Sequence, residues 1–155
     1  MKRLTVLVCT LLLMLTCFGC SKDTDSDEPM NEVAANKWGI TLEAEQVTAS
    51  GLTLVCHQSG GEAVADLMTG SYYTVQRLED SEYTAVDCLS QEDEIAWTME
   101  AWGIQKGNTT RWDVNWTWLY GELPAGEYRI GKRIMNFRGT GDYDEEMVYA
   151  NFVIE

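Results

Sequence analysis

The residues best equipped for chemistry are few in this chain of 155, and the most versatile among them are the five cysteines. Three of these (Cys9, Cys17 and Cys20) crowd the amino-terminal stretch, leaving Cys56 and Cys88 for the body of the protein. Each of those two alternates with apolar neighbours, Cys56 with Leu54 and Cys88 with Val86, which points both inward from strands. In an exported protein they could form a disulfide. Two buried thiols acting as small apolar side chains fit the pattern equally well. Neither cysteine has the spacing to His57 that a metal site needs, so no metal is expected.

His57 is the only histidine, and no serine, cysteine or second acid stands near it in a nucleophile–base arrangement. Asp142, Asp144 and Glu145 could imitate the acid pair of a glycosidase, but they fall in a glycine-rich loop where polar residues are ordinary. The sequence therefore predicts no catalytic residue and no cofactor. A small envelope hydrolase is the weakest of the functional readings.

Trp112, Val114, Trp116 and Trp118 alternate with Asp113, Asn115 and Thr117. On one strand face, Trp112, Trp116 and Trp118 would make a platform for stacking sugar rings. The same alternation is also the usual mark of a sandwich core, and Val114 in the row favours that. A basic cluster of Arg129, Lys132, Arg133 and Arg138 would be either an anion patch or a set of cross-strand partners for nearby acids, the latter being favoured. Overall, 25 acidic residues face 11 basic ones for a formal charge of −14, so nucleic acid is a poor partner.

The elements that must position these residues begin after an unusual leader. Lys2 and Arg3 precede an apolar run over residues 4–18, which ends in Gly19 and Cys20. A basic start and an apolar stretch of 15 residues, short of the roughly 20 of a spanning helix, describe a secretory signal peptide. Its end resembles the lipobox of bacterial lipoproteins, although Cys17 and Phe18 stand where that motif usually has leucine and a small residue. The resemblance implies cleavage before Cys20 and a lipid such as palmitate on its sulfur, with the acyl chains anchoring the protein to the outer side of the cell membrane. Residues 1–19 are then the leader and residues 20–36, polar and acidic, a disordered tether.

From residue 37 to residue 155 the periodicity is two, giving about eight short strands and no helix-length amphipathic segment. The expected strands include 72–78 and 83–88 as a hairpin, 95–99, 110–118, 127–137 and 146–154. An all-β sandwich follows, with an up-and-down barrel as the alternative. The run from Leu123 through Pro124 and Gly126 to Tyr128 decides between them. A tight turn delivering a tyrosine into a strand is the pattern of a tyrosine corner, whose hydroxyl bonds backbone a few residues upstream.

Residues 72–79 and 119–132 resemble the bacterial immunoglobulin-like domains of secreted and lipid-anchored proteins. That resemblance covers residues 38–155 and implies a β-sandwich with an adhesive, spacer or ligand-presenting role and no catalytic residues. Antibody-type domains carry a cysteine two residues after the corner tyrosine, whereas this chain has Ile130. The functional expectation is a membrane-anchored, extracytoplasmic, non-catalytic binding or structural module, its partner an unknown envelope protein or glycan. A glycan-binding module on the tryptophan face is the alternative.

Overall fold

The computed structural model describes residues 34–62, 65–91 and 95–155. The leader, Cys20 and most of the expected tether lie outside the described residues. Among those described, nine strands and one helical turn form an all-β sandwich, joined entirely by antiparallel pairings.

The smaller sheet orders β1 (Ile40–Thr48), β2 (Gly51–Gln58) and β7 (Thr109–Asn115) as β1-β2-β7. Its inner row is Ile40, Leu42, Leu52, Leu54 and Cys56, all buried. On its outer face Arg111 reaches across β2 and grips Glu45 with both terminal nitrogens, over the buried Val55. Asn36, at the end of the expected tether, is tied to the domain. Its carbonyl and side-chain oxygens accept from the backbone of Gly39, Trp38 and Ile40 at 2.9–3.0 Å.

The larger sheet is built on β8 (Gly126–Gly139), which pairs along its whole length with β9 (Asp142–Ile154). On the other edge of β8 lie β4 (Tyr73–Glu79) and β3 (Asp66–Thr69), end to end. Met68 is opposite Met135 and Tyr73 is opposite Lys132, so the two residues of β8 between them answer to four on the other side. The surplus is bulged out at 70–72. β5 (Glu82–Ala85) and β6 (Trp102–Ile104) extend this sheet beyond β4 and β3. The β4–β5 turn places Asp80 and Ser81 at positive φ, the two-residue geometry that matches strand twist.

Three expected strands differ. Residues 95–99 form no strand, the strand expected over 83–88 ends at Ala85, and the one expected over 110–118 stops at Asn115. The reason is local: the Asn115 side-chain oxygen accepts from the Thr117 N–H at 3.1 Å and its hydroxyl at 2.6 Å. That Asx-type bond turns the chain into α1 (Thr117–Tyr120).

Candidate functional site

The turn at Asn115 disperses the tryptophan row. Trp116 is completely buried, stacked on Phe152 at 5.5 Å, with its indole N–H donating to the Ala49 carbonyl at 2.9 Å. Trp118 is 52% exposed and Trp112 only partly buried. The single platform of Trp112, Trp116 and Trp118 is therefore not formed, because Trp116 and Trp118 lie beyond the end of the strand that carries Trp112.

The same turn assembles something else. Trp112, on the free edge of the smaller sheet, stacks on Trp102 at the β6 edge of the larger sheet, 6.4 Å apart and inclined by 25°. Trp97 meets Tyr72, Tyr73 and Trp118 edge to face at 5.2, 5.2 and 5.4 Å. These four tryptophans line an open cleft of about 220 Å³, with Lys132 and Ser71 in its wall. The cleft occupies the side of the sandwich where the β6 and β7 edges meet. Ser71 comes from the bulge between β3 and β4, and its hydroxyl donates to the Thr98 carbonyl at 3.1 Å.

Lys132 is the residue that sequence reading placed in a basic cluster. The four cations in fact go to different places. Arg129 donates to Gln76 at 2.6 Å and lies between the rings of Tyr83 and Tyr149, at 4.0 and 4.2 Å. Arg133 covers Tyr72 and approaches Glu145 at 3.8 Å. Arg138 binds Asp142 and Asp144 at 2.8 and 2.7 Å, which holds the Asp144 carboxyl below its usual range. Lys132 alone points inward, in the row of Tyr128, Ile130 and Ile134, and is 2% exposed. Its ammonium donates to the Gly70 carbonyl in the bulge and lies 4.8 Å from the Trp102 ring centroid. Burial draws this amine down to about 8. The period-two spacing of Tyr128, Ile130, Lys132 and Ile134 was the available signal. Trp97 alternates with Ile95 and Met99, a spacing that predicted a strand over 95–99 rather than a place in a cleft, and Trp102 carried no signal of which sheet edge it would join.

No disulfide joins Cys56 and Cys88. Cys56 lies inside the smaller sheet, five residues along β2 from the end that meets Trp116, with its thiol pushed up to about 11 by burial. Cys88 is not on a strand, since β5 ends at Ala85, and its neighbour Leu89 is bonded to Leu119 of α1. His57 is half-exposed, with Thr109 at 2.9 Å and Glu43 at 3.6 Å. Among the described residues no cluster of His, Cys, Asp or Glu could hold a metal ion.

At the corner, the Tyr128 hydroxyl donates to the Pro124 carbonyl at 2.8 Å. The N–H of buried Leu123 donates to the same Ala49 carbonyl that receives the Trp116 indole. Gly126 opens β8, and its neighbour Ala125 accepts a long 3.5 Å bond from Arg77.

A two-sheet antiparallel sandwich pinned by such a corner is an immunoglobulin-like fold. Comparison with protein families agrees: the family described as bacterial Ig-like domain matches residues 34–152, and the chain belongs to it. A search of curated proteins finds no match. Membership fits a non-catalytic binding or structural module.

Proposed function

We propose that this chain is a lipoprotein held to the outer side of the cell membrane by acylated Cys20, and that its Ig-like domain binds a glycan in the tryptophan cleft. The observation that carries the binding half is the convergence of Trp97, Trp102, Trp112 and Trp118 from separate segments onto one open cavity. Indole faces are apolar yet keep a polar N–H, which suits the C–H faces and hydroxyls of a sugar ring. At about 220 Å³ the cleft falls below the roughly 300 Å³ where drug-sized pockets begin. It fits a single ring or chain end better than a long oligosaccharide. A non-catalytic role is supported by the engagement of Asp142 and Asp144 with Arg138.

The binding half is tested by titrating tryptophan fluorescence against a panel of soluble glycans. A saturable change that Trp118→Ala weakens is expected, and no response across the panel would remove the reading. The anchoring half is tested separately by metabolic labelling with a fatty acid and by blocking lipoprotein processing. Label should depend on Cys20, and unprocessed precursor should accumulate. Unchanged mobility and no label would defeat it.

A further inference from the structure

A site for neutral sugars does not need the cation that this cleft contains. Lys132 occupies an inner, core-facing position, where an aliphatic residue would pack without desolvating a charge. Taking an ammonium out of water costs several kcal/mol unless a partner compensates. Among the described residues no carboxylate lies within ion-pair distance of it. One of its three N–H bonds is taken up by the Gly70 carbonyl, and the Trp102 and Trp112 rings face the charge at 4.8 and 5.7 Å. Those rings attract the cation but do not neutralise it.

The occupant is constrained by this arrangement. A quaternary ammonium, the usual guest of a tryptophan cage, would meet the lysine charge directly. A neutral ring would leave that charge unpaired. An anionic group completes it, and the surrounding indoles call for a ring with apolar faces. We infer that the cleft takes an acidic saccharide, a uronic acid residue whose ring rests on the tryptophans and whose carboxylate pairs with the Lys132 ammonium. This rests on the glycan-binding reading and names its ligand class. Asp113 also borders the cleft, and its carboxylate accepts from the Thr53 hydroxyl at 2.9 Å. The formal charge of −14 opposes the approach of an anion at long range. Salt screens that repulsion beyond about 8 Å at physiological strength while leaving a buried pair nearly untouched.

The test is isothermal titration of the full chain in a polyoxyethylene detergent, which carries no sugar. Short oligomers of galacturonate and glucuronate are compared with their galactose and glucose counterparts. Uronates should bind at least about tenfold more tightly, the ratio expected of one charge-assisted hydrogen bond. Lys132→Met should abolish that preference, and Trp118→Ala should weaken both classes together. Equal binding of acidic and neutral sugars, unchanged in Lys132→Met, would overturn the acidic preference and leave glycan binding standing. Silence from every sugar would overturn both. Should Lys132→Met fail to fold, the wild type decides by salt. Uronate affinity that holds or rises between about 0.05 and 0.3 M supports a buried pair, and a steep fall overturns it.

Discussion

The ammonium of Lys132 lies 4.8 Å from the ring centroid of Trp102, on the inner face of the larger sheet and without a carboxylate partner among the described residues. This relationship links the stability of the fold to the chemistry of the cleft. A buried cation weakens the sandwich in proportion to how completely it is charged.

Lys132→Met should therefore stabilise the domain near neutral pH by on the order of 2 kcal/mol. The amine titrates at about 8 when folded and at about 10.4 when unfolded. Below about pH 8 both states hold the proton and the folded state bears the full cost. Between those values the unfolded chain binds more protons, so the Lys132 contribution to stability rises with pH. Cys56 and Tyr73, whose folded values are raised by burial, act in the opposite sense in the alkaline range. Both remain in the variant, so the difference between the two proteins isolates the lysine. Urea midpoints across pH 7 to 10 should show that difference shrinking, and a constant gap would point to packing instead.

Tyr128→Phe removes the hydroxyl that donates to Pro124 and little else. The loss should be on the order of 1 kcal/mol, the usual net contribution of one hydrogen bond. Equilibrium denaturation with an unchanged midpoint would show that the corner is held by the stack of Tyr128 on Phe152 alone.

Trp116→Ala and Trp118→Ala should separate core from cleft. The first empties a completely buried site and breaks the bond to Ala49, costing roughly 3–5 kcal/mol. The second truncates a side chain 52% exposed and should cost under about 1 kcal/mol while weakening ligand binding. Similar midpoints for the two variants would contradict this division.

Cys56 should resist alkylation in the folded protein, being buried with its thiol raised to about 11. Denaturation without reductant should make both Cys56 and Cys88 modifiable. Mass spectrometry showing a linked, unlabelled pair would contradict the absence of a bond between them.

Much of the sandwich was legible because half-buried strands leave a period-two trace. The rows Leu52-Leu54-Cys56 and Val148-Ala150-Phe152-Ile154 are both found on inner faces. The tyrosine corner was legible because Pro124, Gly126 and Tyr128 act within a few residues of one another. The strand end at Asn115 was not, since aromatic alternation runs past it unchanged and only a side-chain bond to Thr117 diverts the backbone. The cleft was hidden for a different reason. It depends on which edges of two sheets come together, and nothing local in Trp97 or Trp102 specifies that. Cys88 shows the same limit, because its spacing to Val86 suggested a strand that ends at Ala85.

The dominance of β8 has a consequence for the order in which the molecule assembles. β3 and β4 both pair with β8, β5 and β6 attach to the sheet only through them, and β9 closes the other edge. A chain emerging from its amino terminus can zip β1 against β2 early. Its larger sheet must wait for the last thirty residues, because its central strand is still missing. A truncation just before Gly126 should thus keep the smaller sheet but leave the β4–β5 and β3–β6 pairs with no strand to join them, whereas the intact carboxy-terminal hairpin, closed by a two-residue turn at Thr140 and Gly141, is local enough to form by itself and template the larger sheet.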